Sequence, residues 1–249
     1  MSIQREEHFR ICTWDVDQAD RLTMSAAFNY CQEAAGNHAR ELGNGTEKLR
    51  ALGLAWVLSR MSLVLDERPG WGVQIAARTW PRGRDRLFAI RDYQLLAKEG
   101  RVIGRGRSAW LVLDLTSFKP RRLESLSFTI PENHEMDGLV DGVKSIESRK
   151  DMGPSIARLA AYSDMDYNGH VNNARYVQWI QDVLPVEALL KAESLRLDIN
   201  YLAEVKPGEK ACIAFVQTEN GRNPSFHVEG THESTGKPCL RAVLSVPSR

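Results

Sequence analysis

The chain has 249 residues, with 33 Lys and Arg against 32 Asp and Glu and a formal net charge of +1. That balance lacks the basic excess of a nucleic-acid binder, and a hydrophobic content of 43% allows a packed core and argues against disorder. The charged start, Met1-Ser2-Ile3-Gln4-Arg5-Glu6-Glu7, does not read as a secretory signal. The longest apolar runs, such as 109–113, are strand-sized and cannot span a bilayer. Cys12, Cys31, Cys212 and Cys239 form no C-x-x-C pair, so reduced thiols and a cytoplasmic location are expected.

Residues 3–11 read as a strand. Thr23 is placed to cap a helix running to about Leu42, where Gly43 supplies the stop. Ala27, Cys31, Ala34, His38 and Leu42 recur along it at steps of three and four. Strand-like runs follow at 54–65, 73–80, 87–96 and 102–115, punctuated by Pro69-Gly70, Pro81-Arg82-Gly83 and Lys98-Glu99-Gly100. Segment 117–153 carries Pro120, Pro131 and much charge, and within it the linker is placed at 133–152.

The same order then returns. A strand at 156–162 precedes a helix capped by Asn172, with Tyr176, Ile180 and Val183 on one face and an interruption at Pro185. Strands follow at 195–202, 211–217, 226–231 and 240–246. Pro207-Gly208 echoes Pro69-Gly70, and aligning these turns sets Glu204 opposite Asp66. Short connections imply antiparallel pairing, and a single long helix must cover the concave face of its sheet. The expected class is α+β: a tandem (double) hotdog of two antiparallel sheets, each wrapped around one long helix. Its halves are residues 1–132 and 153–249.

The densest polar stretch is Asp164-Met165-Asp166-Tyr167-Asn168-Gly169-His170-Val171-Asn172-Asn173, lying at a helix start. A helix N-terminus offers unpaired N–H groups that can hold an oxyanion. A plain capped loop is the bland reading. A calcium loop fits Asp164, Asp166, Asn168 and Gly169, but its last ligand position falls on Arg175, a cation. Zinc is unsupported, because His170 lacks a second ligand at the right spacing. No metal and no cofactor are therefore expected. There is no G-x-S-x-G elbow and no phosphate-binding P-loop.

Asp164 to Ile180 closely resembles the active-site segment of the acyl-acyl carrier protein thioesterases, the plant plastid enzymes and their bacterial relatives. Trp56-Val57-Leu58-Ser59-Arg60-Met61, Trp71-Gly72, Ser108-Ala109-Trp110-Leu111-Val112-Leu113-Asp114 and Lys119-Pro120-Arg121-Arg122-Leu123 extend the resemblance upstream. It implies thioester hydrolysis, with Asn168 and His170 as the catalytic carboxamide and imidazole, Asp166 as the upstream acid and Glu204 as the further acid. A cysteine often follows that last acid in the family; here it is Val205, which removes a cysteine nucleophile from this site. Water then needs a base, and both Glu204 and His170 qualify. Asp166 would orient Asn168 or His170, and backbone N–H groups near Val171–Asn173 would receive the oxyanion. Without the resemblance, Glu204 reads as an exposed turn carboxylate beside Lys206.

Small residues on the first helix leave room for close packing or for an acyl slot. The resemblance implies a slot in the N-terminal half, with Ala27, Ala34, Ala35 and Trp56 as substrate-binding residues. The implied partner is an acyl carrier protein bearing a phosphopantetheine-linked acyl chain. Arg82, Arg84 and Arg86, together with Lys119, Arg121 and Arg122, are the candidate docking cations. The oligomeric state stays open, and a homodimer is compatible with it. Two alternatives share the fold: an acyl-CoA thioesterase and a non-catalytic acyl-binding module. A dehydratase is weaker, since its helix histidine is not evident.

Overall fold

The structure, a computed structural model, describes residues 3–221 and 223–247. The first half runs β1 (Arg5–Arg10), α1 (Met24–Glu41), α2 (Thr46–Ala51), β2 (Leu54–Leu65), β3 (Gln74–Asp85), β4 (Phe88–Leu96), β5 (Val102–Asp114) and the two-residue β6 (Pro120–Arg121). The second runs β7 (Ile156–Leu159), α3 (Asn173–Val183), α4 (Val186–Lys191), β8 (Leu195–Tyr201), β9 (Lys210–Glu219), β10 (Ser225–His232) and β11 (Pro238–Ser245).

Thr23 caps α1 by accepting from Ala26 N–H, and Gly43, at φ +73°, takes the left-handed turn that ends it. Ala27, Cys31, Ala34 and His38 are fully buried along its sheet-facing side. α2 was not expected: six residues are too few to display a helical period, and Leu49 is its sole buried residue.

The two expected sheets join edge to edge. The antiparallel order is β1-β3-β4-β5-β2-β8-β11-β10-β9-β7, with β6 beside β5, so β2 and β8 form the central seam. The order reads the same from either end when β1 is matched with β7, β2 with β8, β3 with β9, β4 with β10 and β5 with β11. The seam register obeys this symmetry: Arg60 lies opposite Asn200, Val64 opposite Arg196, and Ser62 faces Asp198 at the centre. Both long helices lie against one continuous core that includes Phe28, Leu63, Tyr176, Ile180, Leu197 and Leu244. Each such side chain contributes about 1.5–3 kcal/mol by burial.

α1 and α3 clamp each other reciprocally. Gln181 Oε1 accepts from Ser25 N–H at the start of α1 (3.1 Å), and Gln32 Oε1 accepts from Asn173 Nδ2 at the start of α3 (3.1 Å).

The linker segment 133–152 is a hydrogen-bonded strap across the sheet. Asn133 N–H donates to Pro81 O (3.0 Å), Gln94 Nε2 to Asp137 O (2.8 Å), Asn200 Nδ2 to Lys144 O (3.0 Å) and Arg149 N–H to Glu229 Oε1 (2.7 Å). Gly138 is required there, because a Cβ would meet Asp92 Oδ2 at 1.9 Å.

Candidate active site

Asp166 organises the loop before α3. Its Oδ1 accepts from Asn168 N–H (2.8 Å) and His170 N–H (3.2 Å), and its Oδ2 accepts from Asn168 Nδ2 (3.1 Å). Gly169, at φ +80°, makes the turn between them. Asp164 folds back onto Ala161 N–H (2.9 Å), and Asn172 caps α3 through Ala174 N–H (2.9 Å). Both acids are thus engaged in holding loop backbone.

Glu204 follows β8 in a braced turn. Leu202 and Ala203 N–H donate to Cys239 O (2.8 and 3.2 Å), and Val205 N–H donates to Tyr176 Oη (3.0 Å). Burial pushes the Tyr176 phenol well above its ordinary pKa, so it stays a neutral acceptor. Val205 itself is fully buried. The backbone on either side of Glu204 is fixed, and its Oε1 lies 3.5 Å from His170 Nε2. His170 and Glu204 are 60% and 42% exposed, so both groups are open to solvent. That separation is loose for a hydrogen bond and ordinary for an acid–base pair without substrate.

The same loop exists in the first half. Asp17 Oδ1 accepts from Ala19 N–H (2.9 Å) and Arg21 N–H (3.2 Å), as Asp166 does from Asn168 and His170. Asp15 accepts from Cys12 N–H (2.9 Å) as Asp164 does from Ala161. Asp20, at φ +54°, takes the place of Gly169. Thr23 and Asn172 are the matching caps. After the seam strands, Gly72 N–H donates to Ile11 O and Gly208 N–H to Ala160 O, each at 2.9 Å. Both glycines have φ +82°. This match sets Arg68, and not Asp66, opposite Glu204. The sequence alignment of the two Pro-Gly turns was off by two residues, because Trp71-Gly72 and not Pro69-Gly70 is the counterpart of Pro207-Gly208.

The two loops share their framework and differ in functional groups. Asn168, His170 and Glu204 are matched by Ala19, Arg21 and Arg68. Arg68 is buried, pairs with Asp17 (2.5 Å) and donates to Leu22 O, Leu189 O and Ala192 O. Burial lowers its pKa while Asp17 opposes the shift. Arg21 also donates to Leu190 O (2.9 Å) and Ala192 O (3.2 Å). These arginines satisfy carbonyls at the end of α4, which a six-residue helix leaves open. The repeated D-x-D spacing, Asp15-Val16-Asp17 and Asp164-Met165-Asp166, was the sequence signal that could have revealed the twin.

Of the backbone donors expected near Val171–Asn173, Asn172 N–H is already bonded to Asp164 O (2.8 Å) and is unavailable. In the twin, Leu22 N–H donates to Pro69 O (3.0 Å); no equivalent bond closes between Val171 and Val205 among the described residues.

Ala27, Ala34 and Ala35 are buried on α1 in the main core. Nearby, buried His38 pairs its Nδ1 with Arg91 Nη1 (3.1 Å). Trp56 lies in a smaller cluster with Leu49 and Leu54, and its Nε1 donates to Asn44 O (2.8 Å), bracing the approach to α2. Among the docking candidates, Arg82 donates to Met136 O (2.7 Å), Arg84 pairs with Glu124 (3.2 Å) and Glu132 (3.4 Å), and Arg121 pairs with Asp114 (3.6 Å). Arg86, Lys119 and Arg122 are exposed. The Arg84–Glu124 contact draws the two basic groups onto one part of the surface. Sequence reasoning did not include Arg50 on α2, whose Nη2 donates to Asn168 Oδ1 (2.8 Å). Among the described residues, no cluster of His, Cys, Asp or Glu could hold a metal. No helix among them is long and apolar enough to cross a membrane.

One continuous antiparallel sheet covered by two long helices, with a polar loop at the start of the second, defines a double-hotdog protein. The family model for the acyl-ACP thioesterase N-terminal domain matches residues 3–127, and that for the C-terminal domain matches 156–239. The chain belongs to the acyl-ACP thioesterase family. It is 27% identical over 220 residues to oleoyl-acyl carrier protein thioesterase 1, chloroplastic, of Arabidopsis thaliana, covering 80% of this chain and 60% of that protein. It is 29% identical over 220 residues to palmitoyl-acyl carrier protein thioesterase, chloroplastic, of Gossypium hirsutum, covering 80% and 51%. The chain thus spans between half and two thirds of these relatives' lengths. An acyl-ACP thioesterase structure from Bacteroides thetaiotaomicron matches with a TM-score of 0.87 at 28% identity, covering 98% of this chain and 99% of that one. The 12:0-ACP thioesterase of Umbellularia californica shares the fold, with a TM-score of 0.78 at 18% identity, covering 98% and 93%.

Proposed function

We propose that the chain hydrolyses fatty acyl thioesters of acyl carrier protein, releasing a free fatty acid and the carrier thiol. The observation that carries this reading is the contrast between the twin loops. One framework is built twice, and only the second copy brings an imidazole and a carboxylate, His170 and Glu204, to within 3.5 Å of each other, on a loop that also carries the Asn168 amide. A binding module needs no such acid–base pair.

In the proposed reaction, a water oxygen attacks the thioester carbonyl carbon while Glu204 takes the water proton. The developing oxyanion is received by the Asn168 amide and by Val171 N–H. The tetrahedral adduct collapses, the C–S bond breaks, and the leaving sulfur takes a proton from His170, which is restored through its contact with Glu204. Asp166 acts through Asn168 and the His170 backbone and is a positioning residue. No acyl-enzyme forms at Val205. The acyl chain enters beneath α1, past Ala27, Ala34 and Ala35, and the basic groups around Arg84 and Arg122 meet the acidic carrier.

Hydrolysis rates of matched acyl-carrier and acyl-CoA substrates from eight to eighteen carbons test the reading. Faster turnover of carrier-bound chains supports it. Preference for the CoA esters would transfer the activity to the other carrier, and no hydrolysis of either would leave an acyl-binding module.

A further inference from the structure

Arg50 is separated from the catalytic loop by more than a hundred residues, yet its Nη2 stands 2.8 Å from Asn168 Oδ1. Its guanidinium also lies 6.0 Å from the centroid of the Tyr167 ring, within range of a cation–π contact. Asn168 is therefore held at both ends of its amide: Nδ2 donates to Asp166 Oδ2 and Oδ1 accepts from Arg50. With the oxygen occupied, the amide cannot flip, and its second Nδ2 hydrogen is left for another acceptor. A cation on Oδ1 also polarises the amide and strengthens its N–H donors.

The pseudo-symmetry shows that this contact is a site of specialisation. Each short helix lies by the other half's D-x-D loop: α4 of the second half meets Arg21 and Arg68 of the first, while α2 of the first meets Asn168 of the second. At the α4 contact, the loop and the turn after β2 supply the cations and the helix supplies carbonyls. At the α2 contact, the helix supplies the cation and the loop supplies the carboxamide. Charge has changed sides, and only the second arrangement leaves a carboxamide with an N–H beyond those its recorded contacts use. Trp56 and Leu49 seat α2 on the sheet, so the arginine projects from a fixed element.

We infer that Arg50 is a positioning residue contributed by the N-terminal half, which locks the Asn168 amide with Nδ2 toward the thioester oxygen. The inference rests on the catalytic role proposed above for Asn168. It makes the active site a joint product of both halves, although Asp166, Asn168, His170 and Glu204 all belong to the second.

The test is a double-mutant cycle of Arg50→Gln and Asn168→Ala, with Lys48→Gln as a control that removes a charge from the same helix. Arg50→Gln is expected to lower kcat about tenfold, the scale of one charge-assisted hydrogen bond, with KM changed less than about twofold. Arg50→Lys is expected to restore part of the loss, and Lys48→Gln to leave kcat near wild type. In the Asn168→Ala background, Arg50→Gln is expected to have no further effect. A wild-type kcat for Arg50→Gln overturns the inference. So does an effect confined to KM that persists without the Asn168 amide, since that is the mark of carrier docking. Unchanged turnover of Asn168→Ala alone removes Asn168 from the mechanism and the premise of the inference with it, whereas absence of hydrolysis by the unaltered protein would overturn the functional reading itself.

Discussion

Ser62 and Asp198 face each other across the β2–β8 seam, with Ser62 Oγ–H donating to Asp198 Oδ1 at 2.5 Å, and each occupies the other's place in the duplicated fold. They mark the pseudo-twofold axis. The ten strands of the main order and both long helices pair off across it, so the two D-x-D loops serve as controls for each other. The carboxylates Asp17 and Asp166 do the same backbone work in both halves. The groups that differ are the ones that need a chemical explanation.

The first prediction concerns the differing groups. Asn168→Ala and His170→Ala are expected to fold normally and to lose about a hundredfold or more in kcat, the scale of a lost oxyanion donor or acid–base group. Circular dichroism and steady-state turnover on an acyl-carrier substrate check this together. Retention of more than about a tenth of the activity by either variant would remove that residue from the mechanism.

The twin site yields a stability prediction. Arg68→Met leaves Asp17 without its buried cation and strips donors from Leu22 O, Leu189 O and Ala192 O. Breaking one partner of such a pair costs about 3–5 kcal/mol. Chemical denaturation should show a loss of that size, while kcat of the folded fraction stays within about threefold of wild type. A large kcat loss without destabilisation would mean that the first-half loop takes part in turnover.

The thiols are expected to be dispensable. Cys31 is buried with its pKa pushed up by desolvation, and burial raises Cys239 to about 12, so neither is a thiolate near neutrality. Iodoacetamide at pH 8 should modify Cys12 and Cys212 well before Cys31 and Cys239. Replacing all four by Ala or Ser should leave substantial activity in the folded product. An acyl group trapped on any of these sulfurs during turnover would contradict a water nucleophile.

Much of the fold was legible because its elements carry strong local signals. Thr23 and Gly43 bound α1, and residues 54–65 coincide with β2 because apolar and β-branched residues fill the run between turn signals. The β3 run was cut short at Trp80 because Pro81 and Gly83 read as a stop. The strand instead continues to Asp85 through a register shift between Pro81 and Gly83. The joining of the halves at β2 and β8 was invisible, since edge pairing leaves no local pattern. At the site, the D-x-D-x-N-x-H string was readable from its polar density and its resemblance to a known family. Arg50 was not, because its partner lies in the other half, and Arg68 was hidden by a two-residue slip in aligning the turns.

In the proposed reaction Glu204 accepts the proton of the attacking water. Glu204→Gln keeps the side chain's shape and hydrogen-bonding reach but cannot take that proton. Its single-turnover rate on saturating acyl-carrier substrate is the most direct measurement. That rate is expected to fall by roughly 10²–10⁴, with binding of a non-hydrolysable acyl-pantetheine nearly unchanged. A near-wild-type rate for Glu204→Gln would contradict it and leave His170 as the base.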